Sequence, residues 1–120
     1  MELHKNDQLS REELPEETLK EILNHIKSID GGAVQRVYLL RKTVSETMSG
    51  SIFILDFLHD MKQDQCYDIL DQVRRYLDSL GHWQYMVYAY KDVKKVRPEK
   101  IPGSLVYENK EWQEYGKKPE

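Results

Sequence analysis

The feature that most constrains the fold is an amphipathic helix set between two strand-like runs. Apolar residues recur at three- and four-residue steps from Cys66 to Leu80, and Gly81 follows as a helix end. The flanking runs, SIFILDF at 51–57 and WQYMVYAY at 83–90, are rich in β-branched and aromatic residues and lack a helical period. They predict strands, against which the helix can bury its stripe.

Earlier residues repeat this alternation of helix and strand. Leu19, Ile22, Leu23 and Ile26 predict a helix that begins near Pro15 and ends near Asp30. The run 33–40 then predicts a strand, and the polar residues 41–50 predict a loop that joins it to 51–57 as an antiparallel hairpin.

The last part of the domain is less regular. Residues 91–98 form a basic stretch that predicts a turn or loop, and 104–107 predict a short edge strand. The resulting order is α-β-β-α-β with a short terminal strand. It predicts an α+β fold, a two-layer sandwich in which a mainly antiparallel sheet carries both helices on one face.

Length and composition predict one domain with polar ends. The chain has 120 residues, of which 39% are hydrophobic and 32% charged. This length can bury a core without disulfides or metals. We assign 1–14 to a polar N-terminal extension, 15–108 to a single α+β domain and 109–120 to a charged C-terminal tail.

Charge and cysteine content narrow the function classes. The net charge of −3 opposes a general nucleic-acid binder, whose affinity rests on cations that neutralise phosphates. Cys66 is the single cysteine, which fits a reducing compartment. The sequence has neither an apolar signal core nor an apolar run that could span a membrane, so we expect a cytoplasmic chain without a membrane partner.

The order of elements resembles one known family. The strand AVQRVYLL, the run SIFILDFL, the helix CYDILDQVRRYLDSLG, the strand WQYMVYAY and the closing KIPGSLVYE are similar to the C-terminal domain of SseB, the enhanced serine sensitivity protein. The resemblance covers roughly residues 15–108. It implies an α+β domain with an accessory or interaction role, and no functional residue of that family is carried over. An SseB protein usually has another domain ahead of this one, where this chain has about fourteen polar residues.

Candidate catalytic and metal residues are few. His4, His25, His59 and His82 are far apart and fit no metal-ligand spacing, so we predict no metal and no cofactor. Cys66 lies on the apolar stripe, which favours a buried thiol over an activated one at a helix start. No catalytic motif is present, so an enzyme is not favoured; the alternative is a small-ligand pocket or active site near His59 and His82, with Asp56 as a further lining residue.

The aromatic strand carries the main functional prediction. Alternation sends Trp83, Tyr85 and Val87 to one face and Met86, Tyr88 and Tyr90 to the other, and helices on one side leave one face open. The open face presents either Met86, Tyr88 and Tyr90 or Trp83 and Tyr85. An open face rich in Tyr and Met is typical of a protein-interaction surface. Its expected anchors are Tyr38, Phe53 or Phe57, Met86, Tyr88 and Tyr90.

Several occupants of that face stay open at this point. We expect a protein partner or self-association, the simplest form of which is a homodimer. Single-stranded RNA stacked on the sheet aromatics is a second alternative. The C-terminal tail, with Trp112 and Tyr115, is a third occupant. Separately, a basic run predicts an anion or partner patch at Lys91, Lys94, Lys95, Arg97 and Lys100.

Overall fold

The fold is a five-stranded sheet with two long helices on one face. The computed structural model describes residues 8–29, 33–46, 48–57, 61–81 and 85–109, and only the backbone of Val44 and Met48. The strands are β1 (Leu9–Arg11), β2 (Val34–Ser45), β3 (Met48–Phe57), β4 (Met86–Ala89) and β5 (Leu105–Glu108). The helices are α1 (Glu16–Ser28), α2 (Gln63–Ser79) and the single turn α3 (Tyr90–Val93).

Strand pairing confirms the mainly antiparallel sheet and adds one parallel pair. β2 pairs antiparallel with β3 along one edge, and β1 and β5 lie end to end against the other edge of β2. β3 and β4 run parallel, as expected for two strands connected through a helix, here α2. Within the described residues, β4 is the edge strand beside β3. Arg74 of α2 donates a hydrogen bond to the Val87 carbonyl of this strand at 3.1 Å.

The predicted loop at 41–50 is wrong. β2 continues to Ser45 and β3 begins at Met48, with Ser45 paired to Met48, so two residues separate the strands. The antiparallel ladder is made by backbone groups, which polar residues satisfy as well as apolar ones. The polarity of residues 41–50 therefore does not exclude strand structure.

The helices follow their predicted stripes. Both pack on one sheet face, where Ile22 and Ile26 of α1 and Ile69, Val73 and Leu77 of α2 are buried. α2 ends at Ser79, and Gly81 adopts a φ of +83°, the left-handed conformation that glycine takes without a steric penalty. We call this side of the sheet the helix face.

β1 lies in the segment that the sequence assigns to an N-terminal extension. Leu9–Arg11 pairs with Leu40–Lys42 of β2, so the sheet begins before α1. Leu9 also packs against the apolar cluster on the other side of the sheet.

The other side of the sheet is covered, which contradicts the predicted open face. Leu40, Ile52 and Ile54 have no exposed surface, and they form a second core cluster with Tyr38 and Val93. The cover is residues 90–101, which follow β4 and contact β2, β3 and β4. We call these residues the covering segment and this side the covered face. The sheet thus has a core on each face.

Candidate functional site

The covering segment is built from three short helical turns. α3 is followed by two 3-10 turns, Lys94–Val96 and Pro98–Lys100. Between them Arg97 has a φ of 49°, a left-handed conformation that ends the first turn, and Pro98 starts the second turn with its preset φ. The predicted loop is therefore an ordered structure.

The apolar side chains of this segment point to the sheet. Val93 and Pro98 are buried, and Val96 and Ile101 are half-buried against the cluster on the covered face. Every cation of the segment is exposed: Lys91, Lys94, Lys95, Arg97 and Lys100. Its inner side thus closes the core, and its outer side forms a cationic surface.

Both carboxylates of the segment are held by tyrosines. The Tyr67 hydroxyl donates to Asp92 Oδ2 at 3.1 Å, and the Tyr90 hydroxyl donates to Glu99 Oε1 at 2.7 Å. Within the described residues, none of the five cations forms an ion pair. The segment has five cations and two carboxylates, so its net charge of +3 contrasts with −6 for the rest of a chain whose total is −3.

Tyr90 links the start of the covering segment to its second 3-10 turn. Burial and the hydrogen bond to Glu99 raise the pKa of Tyr90 from 10.0 to about 12. The folded chain therefore keeps a phenolic proton that the unfolded chain loses above pH 10. Its contribution to stability is complete below pH 10 and is lost as the pH rises through about 12.

We expect Tyr90→Phe to flatten the alkaline loss of stability. The wild-type free energy of unfolding should fall as the pH rises above 10, and the variant should lack the part of this fall that Tyr90 causes. Urea unfolding of both proteins at successive pH values below and above 10 measures this difference in the free energy of unfolding. An identical alkaline slope in both proteins would contradict the assignment to Tyr90.

The predicted anchors do not form one exposed set. Phe53 is fully buried on the helix face, where it contacts Tyr85 with ring centroids 5.6 Å apart, and Phe57 lies on the same face. Tyr38 is on the covered face but is 6% exposed. The prediction of Tyr38 and Phe53 as surface anchors is therefore wrong.

Three predicted anchors stay accessible on the covered face. Met86, Tyr88 and Tyr90 are half-buried against the second core cluster, which Val93 of the covering segment also joins. The structure therefore places the aromatic residues and the cationic patch, two separate sequence predictions, on the same side of the sheet.

A cleft lies where β3 and β4 end. It has a volume of about 380 Å³ and is lined by Gln35, Leu55, Asp56, Phe57, Met61, Cys66, Tyr90 and Lys91. The carboxyl ends of parallel strands are a common location of ligand sites in sheets of this kind. Asp56 was predicted to line such a pocket. His59 and His82, predicted with it, lie outside the described residues, as do Trp83, Trp112 and Tyr115.

An ion-pair network adjoins this cleft. Arg36 Nε donates to Glu108 at 2.8 Å and Arg36 Nη1 contacts Asp56 at 3.3 Å. Burial raises the pKa of the Asp56 carboxyl, although the Arg36 guanidinium opposes that rise. Arg36 and Glu108 were not singled out by the sequence, because their pairing depends on β5 lying against β2.

The cleft holds no activated nucleophile among the described residues. Cys66 is 3% exposed, and burial raises the pKa of its thiol, which disfavours the reactive thiolate. The described part of the chain also has no group of three His, Cys, Asp or Glu that could hold a metal ion.

The sequence does not predict Gln35 as a site residue. It is 6% exposed and lies between Val34 and Arg36, where the register of β2 against β3 shifts. Such a shift marks a β-bulge, which re-aims a side chain. The available signal was a polar residue inside an apolar strand, which alternation alone assigns to the solvent side.

Comparisons with family models, curated proteins and solved structures find no match. The resemblance to the SseB C-terminal domain therefore stays a prediction. Of the helices that the structure describes, none combines the length and apolar character needed to cross a membrane.

Proposed function

We propose that the chain is a non-catalytic protein-interaction module that binds an acidic segment of a partner on the outer side of the covering segment. The observation that carries this proposal is the charge arrangement at residues 90–101. The segment has five exposed cations, and its two carboxylates accept hydrogen bonds from tyrosine hydroxyls. An acidic peptide would supply the missing counter-charges.

Half-buried side chains next to this surface would add apolar contacts. Met86 and Tyr88 pack against the same cluster as Val93 and retain part of their surface. Tyr and Met are typical of interface centres, and a charged rim around them sets partner choice and association rate. The covered face therefore offers both kinds of contact.

Charge distribution favours a short acidic segment over a nucleic acid or a membrane. The cationic surface belongs to twelve residues, and the rest of the chain carries a net charge of −6. An extended polyanion would approach that acidic remainder as well, whereas a short peptide would meet the cations alone. Base stacking is also disfavoured, since Tyr38 is buried under the covering segment.

The buried thiol of Cys66 and the raised pKa of Tyr90 support a non-catalytic role, because neither group is activated as a nucleophile or base. The cytoplasmic location expected from the lone cysteine remains part of this proposal.

Reversal of two charges tests the proposal. We expect Lys94→Glu with Lys95→Glu to weaken binding of a fluorescently labelled peptide of Asp and Glu residues by about tenfold, because attraction becomes repulsion. The matched control reverses Lys20 and Lys27, which are equally exposed on α1 and should change the affinity little. Fluorescence anisotropy gives the dissociation constants, and the wild-type affinity should fall between about 50 and about 200 mM salt.

Three outcomes would contradict the proposal. Equal loss of affinity in the α1 control would show only a general charge effect. Tighter binding of labelled single-stranded oligouridylate than of the acidic peptide would assign the surface to RNA. A concentration-dependent dimer in sedimentation that the Lys94 and Lys95 reversals abolish would assign it to self-association.

A further inference from the structure

The cleft at the ends of β3 and β4 contains a polar group that has no hydrogen-bond partner among the described residues. Gln35 is 94% buried, and its side-chain amide makes no hydrogen bond within the described residues. Its backbone carbonyl is satisfied, since it accepts from the Asn109 N–H at 2.8 Å. A largely shielded amide without a protein partner can hydrogen-bond only to water or to a ligand.

Gln35 lines the cleft, and its amide keeps contact with an accessible surface. No fully buried side-chain nitrogen or oxygen in the described part of the chain lacks a partner. The unpaired amide therefore retains some solvent-accessible surface, and the cleft is the cavity that Gln35 lines. The bulge between Val34 and Arg36 interrupts the regular alternation of side chains at Gln35.

The remaining lining defines the chemistry that fits. Leu55, Phe57 and Met61 are apolar, Lys91 is a hydrogen-bond donor and Asp56 has a carboxylate that accepts. Gln35 itself offers one acceptor and one donor group side by side. Donors and acceptors are thus balanced, and the charges of Lys91 and Asp56 cancel.

We propose that this cleft binds a small neutral molecule that presents a planar carboxamide-type group to Gln35 and an apolar body to Leu55, Phe57 and Met61. A carboxamide matches Gln35 because it donates and accepts in one plane. The volume of about 380 Å³ lies in the range of small-molecule sites. The cleft shares Tyr90 and Lys91 with the covering segment, but its defining residue, Gln35, is on β2 and outside the cationic surface proposed above.

Benzamide is the probe that tests this site in the full chain. We expect saturable shifts of the backbone amide signals of the lining residues in two-dimensional NMR, with weaker binding of benzoate, which lacks the donor, and of benzylamine, which lacks the acceptor. The variant Gln35→Met keeps the length of the side chain and removes the amide. It should weaken benzamide binding by about tenfold.

Gln72→Met is the matched control, because Gln72 is exposed on α2 and does not line the cleft. It should leave the affinity for benzamide unchanged. The thermal midpoint supplies a second readout: Gln35→Met should leave it unchanged or raise it, since no hydrogen bond within the described residues is lost.

The overturning results are distinct from failure of the acidic-peptide proposal. Absence of saturable benzamide shifts at the cleft would overturn the site, and so would equal loss of affinity in both glutamine variants. Tighter binding of benzoate than of benzamide would mean that the cleft prefers an anion, and tighter binding of benzylamine would mean that it prefers a cation. A clear drop of the thermal midpoint in Gln35→Met would show that the amide has a structural role. Charge reversal at Lys94 and Lys95 should leave benzamide binding unchanged.

Discussion

Replacement of Ile54 by alanine is expected to lower the free energy of unfolding by about 2–5 kcal/mol. Ile54 of β3 has no exposed surface and lies on the covered face. It is paired with Tyr38 of β2 on one side and with Tyr88 of β4 on the other. Truncation removes buried methyl and methylene groups and leaves a cavity beneath the covering segment. On an open sheet face, the same change would remove a side chain that water already contacts.

Urea unfolding of Ile54→Ala and of a surface control measures this difference. Leu105→Ala is the control, because Leu105 is 45% exposed on β5. This change should lower the free energy of unfolding by at most about 1 kcal/mol. Equal, small losses in both variants would mean that residues 90–101 do not cover the sheet in solution.

Phe53→Ala is expected to lower the free energy of unfolding by about 3–5 kcal/mol. Phe53 is fully buried on the helix face and contacts Tyr85. The cost is that of a cavity between the sheet and the helices. Since the ring is remote from the cationic surface, affinity for the acidic peptide should stay close to wild type under conditions in which the variant is folded.

Tyr67→Ala is the control for Phe53→Ala, because it removes an exposed aromatic ring instead of a buried one. Tyr67 is 42% exposed, so the change should cost less stability than Phe53→Ala. Because its hydroxyl holds Asp92, it should also alter binding of the acidic peptide more than Phe53→Ala does. A folded Phe53→Ala protein that loses peptide binding with little loss of stability would restore the surface role predicted from the sequence.

The sequence predicts both long helices because their stripes repeat over several turns. Ile69, Val73 and Leu77 lie on one helical face in any fold that buries α2, and Gly81 ends the helix through local backbone geometry. The apolar parts of β2 and β3 are also predicted by their composition. The ends of these strands are not predicted, because the ladder from Arg41 to Ser45 depends on pairing with β3 and not on side-chain polarity.

The covering segment could not be predicted from local sequence. Five cations and a proline within residues 90–101 indicate a solvated loop, and the apolar positions Val93, Val96 and Ile101 have no regular period. Their burial arises from long-range packing on β2 and β3. This packing closes the face that a two-layer sandwich would leave open.

The misplaced anchors illustrate the role of strand register. Alternation assigns Tyr88 and Met86 to one face, but it does not say which residues of β3 share that face. The parallel register pairs Ile54 with Tyr88 and Phe53 with Val87, which sends Phe53 to the helix face. A shift by one residue would exchange these faces, so register is a tertiary property. The bulge at Gln35 cannot be predicted from local sequence either, because it depends on the pairing of β2 with β3.

Mapping of the acidic peptide by two-dimensional NMR tests the central claim most directly, since that claim assigns both closure of the sheet and partner binding to the covering segment. Titration of the labelled chain is predicted to shift amide signals of residues 86–101 and to leave those of α1 and of Gln35 unchanged. Shifts centred on α1 or on Gln35, or no saturable shifts at all, would contradict it.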